Sequence, residues 1–244
     1  MRDRPSRDEE RSINGRGSAR SVRLEASGHI QFELLGEEHL DEFVAFLFRV
    51  YRDAYTHIGI HMQQEQQQRF AEDTHRYFAD TKIYLARIED RRIIASYGNI
   101  IKRTDQLLPI EKLFSLSITG YAADIGIAPK LIHQTWRVGG DGGLFRELGF
   151  STTDKKSLFH SLHALNISDF GNDDDNLVCG YSYNPAWKLD KQLGFPWRII
   201  GATQLSRLGV PSFPMAFTIR EWKARNREKL WQQHQASSAD SDIP

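Results

Sequence analysis

The sequence has 244 residues, 40% of them hydrophobic, and its 32 basic residues balance 32 acidic ones. This length suits one domain with flanking segments, and zero net charge excludes an overall field that attracts nucleic acid. Cys179 is the only cysteine, so no disulfide can form within the chain and a reducing, cytoplasmic location is expected. The sequence contains neither a secretory signal nor an apolar run long enough to predict a membrane span.

The chain divides into three parts by composition. Residues 1–27 are mostly charged or small, and we expect a disordered N-terminal tail because such a segment has little apolar surface to bury. Residues 28–222 contain all the predicted core elements and form a single domain. A charged helix and a frayed tail are expected at 223–244.

Hydrophobic periodicity predicts the elements of this domain in chain order. Alternation or β-type composition predicts strands, at residues 29–35, 82–90, 92–103, 132–138, 177–183, 197–205 and 212–219. Helical spacing and end signals predict helices, at residues 37–55, 63–78, 153–170, 185–194 and 220–235. Residues 104–131 are predicted to be irregular. The order contains hairpins and crossovers, which indicates an α/β (α+β) fold with a mixed, mostly antiparallel central sheet flanked by helices.

The segment YSYNPAWKLDKQLGF, residues 181–195, resembles the strand and helix that end in Leu-Gly-Phe in GNAT acyltransferases. The matching positions are Asn184, Leu189, Leu193, Gly194 and Phe195. In this pattern the leucines pack the helix on the sheet, and the glycine permits a left-handed turn. The resemblance implies a GNAT fold in which two central strands splay apart and accept the pantetheine arm of an acyl thioester.

Two further segments resemble a branch of these enzymes, the N-acyl amino acid synthases and acyl-homoserine lactone (autoinducer) synthases. The strand IHQTWRV has Gln134 where that branch has glutamate, and Arg137 where it has arginine. The preceding LLPIEKLF supplies Glu111 in a Leu-Pro-x-Glu pattern. The glutamine at 134 disfavours a homoserine lactone synthase, so the resemblance implies a long-chain N-acyltransferase that acylates an amino acid or a peptide amine.

The chain departs from the common GNAT pattern in its glycine-rich turn, GGDGG. Ordinary members bind the CoA pyrophosphate there through backbone N–H groups at a helix N-terminus. Asp141 in the middle of this turn would repel a polyanion. An acyl carrier protein presents a single phosphodiester, so the departure favours a carrier-protein donor over acyl-CoA.

The resemblance also implies which residues contact the donor. Pantetheine would lie against the two splayed strands and the start of the following helix, at Ile132, Gln134, Trp136, Val138, Cys179, Tyr181 and Asn184. The acidic carrier protein would need a basic patch, for which Lys155 and Lys156 are candidates, with help from Lys130 and Arg146. Two solvated lysines in a first helical turn are the alternative.

Four side chains are candidates for catalysis. Arg137 is expected to hold an acceptor carboxylate or to organise the donor strand, with a structural ion pair as the alternative. Glu111 is expected to orient the amine or accept its proton, unless it is a surface residue. His133 is a candidate general base or a packed histidine. Tyr183, like Tyr181, is a candidate to protonate the leaving thiolate or a core aromatic residue.

Other chemistry is less well supported by the sequence. Cys179 lacks a paired histidine, so a small buried hydrophobe is favoured over a nucleophile. The histidine pairs 57/61 and 160/163 have no clear third ligand, and no metal site is expected.

Asp190 replaces the helix tyrosine of many GNAT enzymes. The apolar residues Phe43, Phe46, Leu47 and Phe48 are candidates for an acyl tunnel or for core. An acetyl-CoA-dependent acetyltransferase and a non-catalytic GNAT-like binding module remain alternatives.

Overall fold

The computed structural model describes residues 20–24, 28–104, 106–170, 173–192, 194–206 and 209–226. They form a nine-stranded sheet in the order β1-β2-β3-β4-β5-β6-β9-β7, with β8 beside β9. The strands are β1 (Arg20–Leu24), β2 (Gly28–Leu34), β3 (Thr81–Arg87), β4 (Ile93–Ile101), β5 (Ile132–Gly140), β6 (Leu177–Ser182), β7 (Arg198–Ile199), β8 (Gln204–Leu205) and β9 (Pro211–Thr218). Of these pairings only β5–β6 is parallel, so the predicted mixed, mostly antiparallel sheet is confirmed.

Helices cover both faces of this sheet. They are α1 (Leu40–Thr56), α2 (Gln64–Phe78), α3 (Pro109–Phe114), α4 (Ile118–Asp124), α5 (Gly142–Glu147), α6 (Thr152–Phe170), α7 (Asn184–Gln192) and α8 (219–226). On one face the apolar stripe of α1 packs with β3, where Phe43, Leu47 and Leu85 have no exposed surface. On the other face Leu158 and Leu162 of α6 are buried in a second cluster. The alternation of strand residues thus separates two core layers.

The segment predicted to be irregular, 104–131, contains α3 and α4. Pro109 occupies the first turn of α3, and the Ser117 hydroxyl caps α4 by accepting a bond from the Gly120 N–H at 2.9 Å. The helices have 6 and 7 residues, which is too short to reveal a helical period in the sequence. The prediction was wrong for this reason.

Two further differences from the predictions have a local cause. The long helix begins at Thr152, because Ser151 and Asp154 cap it reciprocally: Asp154 accepts from the Ser151 N–H at 2.8 Å, and the Ser151 hydroxyl accepts from the Asp154 N–H at 3.1 Å. The predicted strand 197–205 divides into β7 and β8. Pro214 of the neighbouring β9 has no N–H to donate to the middle of that segment.

The flanking segments lie mostly outside the described residues. Within the predicted tail 1–27, residues Arg20–Leu24 form β1 and pair with β2, because the alternating sequence RSVRL suits an edge strand. Of the predicted C-terminal helix, residues up to 226 are helical, and the remainder lies outside the described part of the chain.

Candidate active site

β5 and β6 pair only at their first residues. The parallel ladder joins Ile132 to Leu177, His133 to Val178 and Gln134 to Cys179. Just beyond it, the Thr135 hydroxyl donates to the Cys179 carbonyl at 2.8 Å. From there β5 pairs only with β4, and β6 pairs only with β9. We call the space between 136–138 of β5 and 180–182 of β6 the β5–β6 opening. Its two strand edges present backbone groups to any extended ligand that lies between them.

The backbone of Arg137 is strained at this opening. Its φ of 54° lies in the left-handed region, which costs a non-glycine residue about 1 kcal/mol. The register of β4 shifts between Ser96 and Gly98, so Arg137 and Val138 together lie opposite one residue of β4. The Ser96 hydroxyl donates to the Arg137 carbonyl at 2.9 Å and holds this bulge in place.

Within the part of the chain that the structure describes, no carboxylate forms a salt bridge with the Arg137 guanidinium. Its guanidinium carbon lies 3.7 Å from the centre of the Phe70 ring and 4.2 Å from that of Trp136. One terminal N–H donates to the Phe70 carbonyl at 3.1 Å, while Nε is buried without a hydrogen-bond partner. Among the described residues no acidic side chain lies within 4 Å of its guanidinium nitrogens. Burial lowers the pKa of Arg137, and the nearby Asp73 and tyrosines oppose that shift.

Tyrosines surround the opening. The Tyr51 hydroxyl donates to the Val138 carbonyl at 3.0 Å. The rings of Tyr55 and Tyr183 pack edge-on with centroids 5.7 Å apart, and Tyr181 packs against Phe114 at 5.8 Å. Burial raises the pKa of Tyr51, Tyr55 and Tyr183, so their hydroxyls stay protonated at neutral pH and are able to donate hydrogen bonds.

Tyr51, Tyr55 and Phe70 are site residues that the sequence did not identify. Tyr51 falls on the apolar stripe of α1, where a core role is the ordinary interpretation, and Tyr55 follows it by one helical turn. Phe70 lies on the sparse apolar face of α2. The sequence does show two tyrosines four residues apart at the end of an amphipathic helix. This pattern is a weak indication of a site, because packing decides the direction in which the tyrosine side chains point.

In the glycine-rich turn between β5 and α5, the Asp141 side chain binds the backbone N–H groups that begin the helix. Asp141 accepts bonds from the N–H groups of Gly143 and Leu144, each at 2.9 Å. Its other oxygen accepts from Arg49 of α1 at 3.0 Å. The helix N-terminus therefore already holds a negative charge. This arrangement agrees with the sequence-based expectation that the turn is unsuited to a pyrophosphate.

Most predicted donor-contact side chains on the two strands are buried. Ile132, Trp136 and Cys179 belong to the core cluster that faces α3 and α4. The side-chain amide oxygen Oε1 of Gln134 accepts from the Ile110 N–H at 2.9 Å. Val138 packs against the opposite cluster. Burial raises the pKa of the Cys179 thiol, which keeps it protonated and unreactive as a nucleophile.

Two predicted catalytic residues lie away from the group around Arg137. Glu111 is 3% exposed, and its carboxylate accepts from the N–H groups of Leu108 at 2.9 Å and Ile118 at 3.0 Å. Its third partner is the Lys102 ammonium, at 2.5 Å. His133 is 2% exposed in the closed part of the ladder, and burial lowers its pKa to about 4. These surroundings give Glu111 a structural role and remove His133 from solvent.

The remaining predicted residues surround the start of α6 and α7. Lys155 and Lys156 are partly exposed in the first turn of α6, with the Lys155 ammonium 5.6 Å from the Phe145 ring centre. Lys130 forms an ion pair with Asp173 at 2.6 Å, and Arg146 is exposed. Asn184 begins α7, and its side chain lies outside the described part of the structure.

The other candidate side chains are Asp190 and the apolar residues of α1. Asp190 lies on α7, and burial raises its pKa to about 7. Burial, and after it the charge of Asp190, raises the pKa of Tyr97, whose hydroxyl lies 2.8 Å from Nδ1 of His163. The candidates for an acyl tunnel, Phe43, Phe46, Leu47 and Phe48, are all buried in the α1 core cluster.

The described residues contain no group of three or more histidine, cysteine or acidic side chains arranged to hold a metal ion. Within them, no helix combines the length and apolar character that crossing a membrane requires.

Comparison with solved structures identifies the fold. The FeeM N-acyl amino acid synthase from uncultured soil microbes aligns with a TM-score of 0.57 and 13% identity, over 85% of this chain and 96% of that one. The GNAT domain of S. lividans PAT aligns with a TM-score of 0.47 and 12% identity, over 82% and 96% of the two chains. No protein-family model matches the chain, and no curated protein matches it in sequence. The chain has the GNAT fold.

Proposed function

We propose that this GNAT-fold chain is an N-acyltransferase that moves a long-chain fatty acyl group from an acyl carrier protein to the amine of an amino acid or peptide. The observation that carries the proposal is the β5–β6 opening, where two neighbouring strands separate after three residue pairs. An extended pantetheine arm suits this space, because its amide groups pair with strand edges as a further β-strand would. The transferase domain spans 28–222 and would act in the cytoplasm.

The reaction needs few side chains. The neutral amine attacks the thioester carbonyl, the C–N bond forms and the C–S bond breaks. The attacking nitrogen then loses a proton, and the thiolate gains one. Tyr183 is the proposed proton donor to the thiolate, since its hydroxyl stays protonated and it directly follows β6. Tyr51 holds Val138 at the opposite edge through its 3.0 Å hydrogen bond, which fixes the shape of the opening.

The proposed donor is a carrier protein because the ordinary pyrophosphate position is filled. The Asp141 carboxylate accepts hydrogen bonds from the N–H groups of Gly143 and Leu144 and forms an ion pair with Arg49. A CoA pyrophosphate would meet this carboxylate, whereas the single phosphodiester of a carrier protein needs no such cradle. Lys155 and Lys156 are the proposed contacts for the acidic surface of the carrier protein. The similarity to FeeM, described as an N-acyl amino acid synthase, is consistent with this proposal.

A transfer assay tests the proposal. The protein is incubated with palmitoyl-carrier protein, palmitoyl-CoA or acetyl-CoA, and a panel of amino acids, peptides and amines, and products are identified by mass spectrometry. We expect acyl amides from the carrier-protein thioester at a higher kcat/KM than from either CoA thioester. Product from acetyl-CoA alone would make the chain an acetyltransferase. No product from any donor would support a GNAT-like binding module.

A further inference from the structure

We infer that Thr135 and Gly180 together end the β5–β6 ladder, and that Thr135 is a positioning residue that sets how deeply an acyl thioester enters the β5–β6 opening. The role in transfer rests on the proposed function, because it concerns the donor bound in the same opening. The role in strand pairing is a property of the fold and is tested without any donor.

Thr135 and Gly180 occupy the place of the next pair in the ladder. The last pair joins Gln134 to Cys179, so a continued parallel register would set residues 135 and 180 opposite each other. On its other edge β5 stays paired with β4 through Trp136. The break is therefore confined to the β6 side of β5.

The Thr135 hydroxyl lies at the closed end of the opening. The Leu177 N–H donates to the Leu131 carbonyl at 3.1 Å, so the backbone groups of Leu177 face β5. Successive residues of a strand face alternate edges, and the backbone groups of Cys179 therefore face β5 as well. The Cys179 carbonyl accepts from the Thr135 hydroxyl at 2.8 Å. A side-chain donor is thus bound to β6 at the point where the ladder ends.

Glycine at position 180 makes room for this hydroxyl. A Cβ atom at 180 would overlap the Thr135 hydroxyl oxygen, and it would lie 3.5 Å from both Thr135 Cβ and Cη2 of Trp197. The φ of Gly180 is not positive, so the backbone conformation does not require glycine there. A glycine inside a strand often marks the close approach of another group. At Gly180 that group is the Thr135 side chain.

Two more hydroxyls bind the backbone of β5 beside the opening. Ser96 donates to the Arg137 carbonyl at 2.9 Å, and Tyr51 donates to the Val138 carbonyl at 3.0 Å. Thr135 differs from them because it bridges β5 to β6 at the closed end. Its hydroxyl therefore determines where the opening begins.

The position of the closed end matters for transfer. One residue along a strand corresponds to about 3.3 Å. If the pair 135–180 formed, the opening would begin one residue later, and the thioester carbonyl would be displaced from Tyr183 by about that distance. A displacement of about 1 Å is enough to slow a reaction about 100-fold.

Steady-state kinetics with palmitoyl-carrier protein tests the role in transfer. Valine has the shape of threonine without the hydroxyl, so we expect Thr135→Val to lower kcat at least about 30-fold, with KM for the donor within about threefold. Thr135→Ser keeps the hydroxyl and should stay within about threefold of wild type. Thr81→Val is the matched control, since it removes a hydroxyl that donates to the Tyr77 carbonyl at the start of β3. A loss in Thr135→Ser equal to that in Thr135→Val would overturn the role of the hydroxyl.

A double-mutant cycle tests the pairing of Thr135 with Gly180. Gly180→Ala should lower kcat by a similar factor, because the added methyl group displaces the Thr135 hydroxyl. In the Thr135→Ala background the hydroxyl is already absent, so Gly180→Ala should cost less than about threefold more. Losses that multiply fully in the double variant would show that the two residues act independently and would contradict the inference.

Crystal structures of Thr135→Val and Thr135→Ser separate this inference from the proposed function, because they need no acyl donor. We expect residues 135 and 180 to pair in Thr135→Val, with the opening beginning one residue later, and the wild-type opening in Thr135→Ser. That result supports the role in strand pairing even if the wild type transfers no acyl group in any assay. An opening that still begins after the pair of Gln134 with Cys179 in Thr135→Val would overturn the inference, whatever the transfer assay gives.

Discussion

Asp141 and Arg49 join the end of β5 to helix α1 through a 3.0 Å ion pair. The same carboxylate caps α5 by accepting from two backbone N–H groups. The aspartate thereby places a fixed negative charge where ordinary GNAT enzymes are expected to receive the CoA pyrophosphate. In the proposed function, this ion pair and cap favour a carrier-protein thioester over acyl-CoA as the donor.

Removing this carboxylate should improve the use of CoA. In Asp141→Ala the N–H groups of Gly143 and Leu144 are freed and a repulsive charge is lost, so we expect KM for acyl-CoA to fall about fivefold, equivalent to about 1 kcal/mol. Stability should fall by about 1 kcal/mol because the cap is lost. Asp141→Ser is the matched control, since serine caps a helix without charge. Steady-state kinetics with both donors checks this, and an unchanged KM for acyl-CoA in both variants would refute the donor argument.

Glu111 should prove structural rather than catalytic. Its side chain is 2% exposed and its carboxylate accepts from two backbone N–H groups and from Lys102, so Glu111→Gln leaves a largely buried ammonium without a carboxylate partner. We expect the free energy of unfolding to fall by about 3 kcal/mol, measured in urea, with kcat per folded molecule unchanged. Adding Lys102→Met should restore part of that stability. A loss of kcat above 100-fold in a fully folded Glu111→Gln would return this residue to catalysis.

Tyr183→Phe should slow the chemical step. The variant keeps the ring that packs on Tyr55 but loses the hydroxyl, so the leaving thiolate has no proton donor. We expect kcat to fall about 100-fold at unchanged melting temperature, as is typical for loss of a general acid. Tyr55→Phe, which removes a hydroxyl from the partner ring, should change kcat by less than about fivefold. An effect of Tyr183→Phe no larger than that of Tyr55→Phe would contradict a specific proton-donor role for the Tyr183 hydroxyl.

Asp190 should make stability depend on pH. Its pKa is about 7 in the folded protein and about 3.9 in an unfolded chain. Between these values the folded protein keeps a proton that the unfolded chain releases, so Asp190 lowers stability as pH rises from 4 to 7, and the full penalty persists above 7. Asp190→Asn should therefore raise the melting temperature by several degrees at pH 8 and little at pH 4. Asp124→Asn, at an exposed position, is the control, and a difference that is constant with pH would contradict this assignment.

The sequence predicted those helices and strands in which a hydrophobic pattern repeats along neighbouring residues. The buried stripe of α1 and the alternation of β3 and β4 were visible as periods of 3.6 and 2, and the mixed sheet followed from their order. The separation of β5 from β6 was expected only through the resemblance to GNAT acyltransferases, and the observed pairing confirms it. No residue pattern by itself indicates where a strand leaves its neighbour.

The site was harder to predict because it depends on packing between distant elements. Nothing in the letters Trp-Arg-Val marks a left-handed residue, so the bulge at Arg137 was unforeseen. Tyr51 reaches Val138 over 87 positions in the chain, and Phe70 is supplied by a mostly polar helix. The sequence predicts Glu111 as a candidate to orient the amine. Its backbone partners lie at the starts of α3 and α4, and these helices are too short to recognise from the sequence.

The most direct measurement is a crystal structure of the protein with an acyl-pantetheine analogue in which a thioether replaces the thioester. We expect electron density for the pantetheine arm between residues 136–138 and 180–182, with its amide groups hydrogen-bonded to those strand edges. Density for the arm elsewhere on the protein, with β5 and β6 closed over an empty space, would contradict it.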